Sequence, residues 1–458
     1  MGNAYFEQKR YDEAMREFKE ALRLNPRMTL AQIRVGDVHF GQEKFPEALE
    51  IYQRVVRENP KLAIGHLKIG NVHLEQEQYA EAISAYQTAL RLDPQLASCQ
   101  FKLGNTYSQQ ERYPEAIAAY QEALSINPQL IFAYVRLGDA HAAQGDDDTA
   151  IAVYRKALGF DPTFALARVK VGDIHFKQQK HPEAMIEYDA ALSLDPKSAI
   201  AHVKRGNVYF EEKQYDAALA EYRKALELNP QEKLTLMANF KLGNTLSALD
   251  RYPEAAGAYE EILRLNPELA AAHMKLGEIY SKQGQYSRAA DAYASAARCN
   301  PELARAHLKL GECQLKLGKH AEAVAAAQVA LHLDSTLSAA HFLMGDIHFE
   351  QNQYRVAEES YQEVLKLNSH NPQAHLKLGN LYFEEQRYNE AMAAYRAALL
   401  TNPKLTDAHL RLGEVYLRLK QDSEATAEYR AALRLDPDAG AAKAALSRLK
   451  EPEGGNAV

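Results

Sequence analysis

Residues 66–94 read HLKIGNVHLEQEQYAEAISAYQTALRLDP. The first half carries Leu67, Ile69, Val72 and Leu74 on a broad apolar stripe, as expected for a helix packed along one side. Gly70 within it costs a helix ~1 kcal/mol, a cost tolerated where a neighbouring element must come close. The polar corner Gln76-Glu77-Gln78 leads into a second helix, whose Ala82, Tyr86 and Ala89 stand four and three apart on one face. Asp93-Pro94 stops that helix, because the residue before proline is pushed away from helical angles.

The unit repeats along the whole chain. Glycine recurs at a spacing of 34 from Gly2 through Gly36, Gly70, Gly104, Gly138, Gly172 and Gly206. A step of 37 leads to Gly243, and the spacing of 34 resumes through Gly277, Gly311, Gly345, Gly379 and Gly413. Alanine follows each glycine by twelve residues, from Ala14 to Ala425, and four residues later an aromatic appears in every unit except at Ala327. Of 17 prolines, eleven follow the closing Asn or Asp and four (Pro46, Pro114, Pro182, Pro253) begin second helices, where a missing N–H costs nothing. A helix pair cannot bury both of its faces, so neighbouring units must stack and share their cores.

This period overrides the length. A chain of 458 residues would otherwise suggest about three globular domains. With 47% hydrophobic residues and 26 Tyr it is too apolar for a disordered chain. A net charge of −7 argues against a nucleic-acid protein, and Cys99, Cys299 and Cys313 are too scattered for a disulfide framework or CxxC metal site. No apolar run is long enough to span a membrane. Met1-Gly2-Asn3 opens no signal peptide, and Phe6 stands where a myristoylation motif needs Ser or Thr.

The unit ALxxG…(H/Y)…YxEA…Y…AL.LNP resembles the tetratricopeptide repeat (TPR), over residues 2 to about 437. The resemblance implies an all-α, right-handed solenoid of about thirteen helix-turn-helix repeats, whose first helices line a concave groove that holds peptide segments. The expected organisation is a TPR array over 1–437, a capping helix over 438–450 and a disordered tail over 451–458. The first repeat lacks about six residues of its first helix, suggesting that the chain begins within a longer array. Three extra residues within 231–237 should lengthen a first helix by nearly a turn or bulge the preceding loop. Residues 311–335 form the most divergent unit, with Gln314, His320, Ala327 and Ser335 at consensus positions. Its smaller side chains suggest either a soft joint or drift without function.

No residue pattern supports catalysis. His66, His202, His273, His307, His341, His375 and His409 share one repeat position. Successive repeats hold such rings about a helix pair apart, whereas zinc needs ligands converging within about 2 Å of one ion. HExxH, GxSxG and GxxxxGK[ST] motifs are absent, and the repeated glycines lie in helices rather than phosphate loops. The expectation is a non-enzyme with no cofactor and no metal.

The informative variation lies on the first helices. Two residues before the glycine stands Lys or Arg in every repeat from Arg34 to Arg411 except at Leu343, and one residue after it stands Asn, Asp or Glu. These positions are three apart on one face. In-helix pairing fits Arg136/Asp139, Lys170/Asp173, Lys275/Glu278 and Lys309/Glu312. In two windows the acid becomes Asn, which leaves the cation unpaired on its own helix: Lys68/Asn71 with Lys102/Asn105, and Lys204/Asn207 with Lys241/Asn244. These eight residues are candidate contacts for acidic peptide segments, while Phe176, Phe210, Phe349 and Phe383, one turn on, are candidate seats for apolar side chains. The dicarboxylate clamp of TPR co-chaperones is not reproduced, since Leu67, Phe101, Val203 and Phe240 occupy the position where its lysine would stand. The expected function is a cytoplasmic, non-catalytic scaffold that binds protein partners in its groove, with no nucleic acid and no membrane span. The alternatives are end-to-end self-assembly through the truncated first repeat, or service as the targeting module of a longer enzyme.

Overall fold

The computed structural model describes residues 1–228 and 230–450, so the tail expected over 451–458 lies outside the described residues. The described residues form 27 helices and no strand. They fall into two compact units, Met1–Pro230 and Gln231 onward. The first holds seven helix pairs; the second holds six pairs and the last helix, Gly440–Lys450.

One construction recurs in both units. The first helix, such as Ala63–Glu75 or Ala97–Gln109, turns at a residue with positive φ, Glu77 at 57° and Glu111 at 59°. Gln78 N–H then bonds to His73 O at 2.8 Å and Glu77 N–H to Leu74 O at 3.0 Å, which satisfies carbonyls that the helix end exposes. Three repeats place glycine at that residue (Gly145, Gly284 and Gly318), where the left-handed conformation costs no Cβ clash. The second helix runs back, and its tyrosine enters the cradle over the repeat glycine. A Cβ on Gly70 would lie 2.5 Å from Tyr86 Cε1, and one on Gly104 would lie 2.6 Å from Tyr120 Cε1. The glycine is therefore a seat for a ring. Tyr52, Tyr86, Tyr120, Tyr154, Tyr188 and Tyr222 form this buried row in the first unit; Tyr259, Tyr293, Tyr361, Tyr395 and Tyr429 form it in the second.

The irregular repeats obey the same packing. The three extra residues extend a first helix to Glu232–Ala248, 17 residues against the usual 13, at its amino-terminal end. At the divergent repeat, Leu343 takes the place vacated by the missing ring. A Cβ on Gly311 would meet Leu343 Cδ2 at 2.8 Å, and Leu343 clusters with Ala323, Ala327, Ala330 and Ile347. The space left at Ala327 is thus filled from the next repeat by Leu343. In the last helix, buried Ala442 and half-buried Ala445, Leu446 and Leu449 cover the core around Tyr429 and Ala432.

Candidate peptide-binding site

From Asp37 to Asn380, wherever the residue after the repeat glycine is Asn or Asp, the buried tyrosine of the same repeat holds it. Tyr86 donates to Asn71 Oδ1 at 2.9 Å, Tyr120 to Asn105 Oδ1 at 2.9 Å, and Tyr154 to Asp139 Oδ1 at 2.8 Å. The same bond joins Tyr222 to Asn207 (2.9 Å) and Tyr259 to Asn244 (2.8 Å). Burial pushes the Tyr120 hydroxyl up to about 12, so it stays protonated and can only remain a useful donor. The Asn carbonyl oxygens are consequently occupied, and each side chain keeps its amide N–H₂ for another acceptor.

This anchoring decides where each cation goes. A Tyr-bound aspartate accepts the cation of the following repeat: Lys68–Asp37 at 2.8 Å, Lys170–Asp139 at 2.9 Å, Lys204–Asp173 at 3.0 Å and Lys377–Asp346 at 2.9 Å. The longer glutamate reaches along its own helix: Lys275–Glu278 at 2.8 Å, Lys309–Glu312 at 2.7 Å and Arg411–Glu414 at 3.0 Å. The in-helix expectation thus holds for the glutamates and, at 3.6 Å, for Arg136–Asp139; Arg34–Asp37 pairs the same way at 3.1 Å. It fails for Lys170, which bonds to Asp139 rather than Asp173, because its own aspartate is too short and is drawn toward the next repeat by Lys204.

The same rule corrects two candidate residues. Lys68 and Lys204 are not uncompensated, since they reach back to Asp37 and Asp173. A cation loses both partners only where its own repeat and the preceding repeat both carry Asn. Within the first unit that condition picks out Lys102, after Asn71 and beside Asn105; in the second unit Lys241 stands beside Asn244 on its own helix. Among the described residues neither ammonium makes an ion pair or hydrogen bond. The signal was present in the sequence, but it spanned two repeats and not one.

The phenylalanines also differ from expectation. Each is half-buried and packs across the corner onto the first residue of its own second helix. Phe176 stacks on His181 (centroids 5.6 Å apart), and Phe210, Phe349 and Phe383 meet Tyr215, Tyr354 and Tyr388 at 5.5, 5.7 and 5.7 Å.

The histidines that share one repeat position act as staples. His273, His307 and His409 donate from Nε2 to the carbonyl oxygens of Pro267, Pro301 and Pro403, at 2.9, 3.1 and 3.1 Å. Each ties its helix to the loop that enters it, and in His202 and His409 the other nitrogen faces Glu221 and Glu428.

In the first unit, Lys102 and Asn105 line a concavity of about 290 Å³ with Leu74, Glu75, Tyr120 and Arg136. Arg136 is 58% exposed and makes a loose ion pair with Asp139 Oδ2 at 3.6 Å, beyond hydrogen-bonding reach, while Lys170 and Tyr154 hold Asp139 Oδ1. Lys102, with no acid partner, and Arg136, only loosely paired, share one recess with an amide donor. No helix among the described residues is long and apolar enough to cross a membrane.

Comparison with known proteins agrees with the repeat. A family model described as "Tetratricopeptide repeat" matches residues 1–63, 67–131, 240–303, 280–338 and 342–405. Further tetratricopeptide or TPR repeat models match 138–179, 172–212, 197–268 and 382–449. No curated protein matches the sequence. Among solved structures, the chain is similar to one in the APC/C hetero-tetramer Cut9-Hcn1, at 16% identity and TM-score 0.47, covering 98% of this chain and 95% of that one. It is also similar to YrrB, titled a TPR protein with an unusual peptide-binding site, at 22% identity and TM-score 0.36 over 41% of this chain and 95% of that one. MamA is similar at 26% identity and TM-score 0.34, over 36% and 96%.

Proposed function

Because the chain belongs to the tetratricopeptide-repeat family, an architecture of protein-interaction scaffolds, we infer that it binds peptide segments of partner proteins along its first-helix face. It performs no catalysis in this reading. The carrying observation is the recess around Lys102. The other lysines at this position in the first unit are neutralised by a Tyr-anchored Asp, whereas Lys102 has no acid partner and Arg136 only a loose 3.6 Å ion pair, both beside Asn105.

A carboxylate entering the recess would take an ammonium, a guanidinium fork and an Asn amide, the donor set that favours an acidic segment. Lys241 with Asn244 supplies a second, smaller contact of the same kind in the second unit. The half-buried Phe176, Phe210, Phe349 and Phe383 supply apolar surface beside the path.

The test is a selection of short random peptides on the immobilised full chain. Wild-type protein should enrich acidic peptides, and Lys102→Glu should lose that enrichment while keeping its helical circular dichroism. Acidic peptides enriched equally by both proteins would overturn the assignment.

A further inference from the structure

The recess does not end at its cations. Phe132 stands one turn before Arg136 on the helix Ile131–Ala143 and is 63% exposed, the most exposed aromatic among the described residues. Its ring meets Phe164 edge-on, with centroids 5.4 Å apart and planes at 81°. The repeat position of Phe132 holds half-buried Ile64, Leu166 and Ile200, exposed Leu30 and exposed Ser98 elsewhere in the first unit, and no other aromatic. Phe132 and Arg136 are four residues apart, so their side chains share one helix face, about 6 Å apart along the axis.

We propose that this face is a two-chemistry anchor: an extended segment of a partner protein places a carboxylate on Lys102 and Arg136 and an aromatic side chain on the Phe132–Phe164 pair. The charge balance favours an acid here. Lys102, Arg136 and Lys170 face two carboxylates, Glu75 and Asp139; Asp139 gives Oδ1 to Lys170 and Tyr154 and Oδ2 to a loose 3.6 Å pair with Arg136, which leaves one cation in excess and most Arg136 N–H groups open. Glu75 on the rim then disfavours a second acid on the Leu74 side. An exposed phenylalanine beside an unsaturated guanidinium is the combination that concentrates binding energy, because aromatic and arginine contacts dominate interfaces. The spacing is also fixed. A strand rises about 3.3 Å per residue, so an axial separation of about 6 Å corresponds to about two residues, which point to the same side of an extended chain. The recognised element is therefore an acidic residue and an aromatic residue two positions apart, in either order.

The inference rests on the groove-binding reading and can fail separately from it. The experiment is the selection of short random peptides on full-length wild type, Phe132→Ser, Phe132→Leu and Lys102→Glu proteins, followed by sequencing. Wild type should enrich the acid–x–aromatic pairing about tenfold over input, an amount one buried aromatic contact supplies. Phe132→Ser should keep the acidic enrichment and lose the aromatic, and Phe132→Leu should retain an apolar preference at that position. Phe132 is exposed, so these changes leave the repeat folded, which circular dichroism verifies. Acidic peptides without a paired aromatic, or an aromatic preference that survives in Phe132→Ser, would overturn the anchor and leave groove binding standing. Absence of any acidic enrichment that depends on Lys102 would overturn both.

Discussion

The exchange between Ala327 and Leu343 makes a quantitative prediction about epistasis. In regular repeats the space over the glycine is filled by tyrosine; a Cβ on Gly277 would lie 2.5 Å from Tyr293 Cε1. At Gly311 the same space holds Leu343 Cδ2, at 2.8 Å from such a Cβ. Ala327→Tyr alone drives a phenol ring into the leucine and should destabilise the repeat by about 1–3 kcal/mol through overpacking. Leu343→Lys alone removes a side chain that is 5% exposed and should cost about 2–3 kcal/mol. The double variant rebuilds the regular arrangement, with the ring over Gly311 and the cation on the helix surface. Its cost should fall below that of either single change, which gives a coupling of about 2 kcal/mol or more. Native-state hydrogen exchange of amides in the helix His320–Leu333 reads the local opening free energy without requiring the array to unfold in one step. Effects that add to within about 0.5 kcal/mol would refute the idea that one side chain replaces the other.

Two further outcomes follow from the same packing. Gly257, in the second helix Tyr252–Leu265, has nothing within 4 Å of a Cβ position, so Gly257→Ala should stabilise by ~1 kcal/mol; Gly70→Ala, facing Tyr86, should destabilise by about 1–3 kcal/mol. Urea denaturation of the two variants should show midpoints displaced in opposite directions. Burial pushes the Cys99 thiol up to about 12 and also raises that of buried Cys313, so both remain protonated in mildly alkaline solution, where the thiolate is the reactive form. Mass spectrometry after brief iodoacetamide treatment should find Cys299 modified first, and the other two only once the chain is unfolded.

The helix pairs, their stops and the tyrosine row were legible in the sequence because each depends on residues within one period. The glycine at Gly70 and the ring at Tyr86 are 16 residues apart in every regular copy, so repetition exposes them. The lengthened helix at Glu232 was also within reach, since its extra residues had only a helix or a loop to join. Charge was harder to read. Pairing within a helix depends on the reach of both partners: Arg reaches its own Asp in Arg34–Asp37, whereas Lys170 reaches back to Asp139, and Asp is further held by a tyrosine hydroxyl from the second helix. The partner of Lys68 is therefore Asp37 of the preceding repeat, a contact that no single copy contains. The phenylalanines misled for a related reason: a position on the open side of a helix becomes half-covered when the corner folds His181 or Tyr215 against it.

Lys102 is left open because Asn71 and Asn105 cannot neutralise it, and in the proposed function an acidic segment uses this opening. Asn71→Asp tests it directly, since the new carboxylate keeps its bond from Tyr86 and stands where Asp37 stands for Lys68. Two opposite charges about 4 Å apart near a protein surface interact by about 1–4 kcal/mol. Affinity for a selected acidic peptide, measured by fluorescence anisotropy on the full chain, should therefore fall about tenfold. Asn380→Asp, the same change in the second unit, should leave it unaltered. Unchanged affinity in Asn71→Asp, or an equal loss in both variants, would contradict the account.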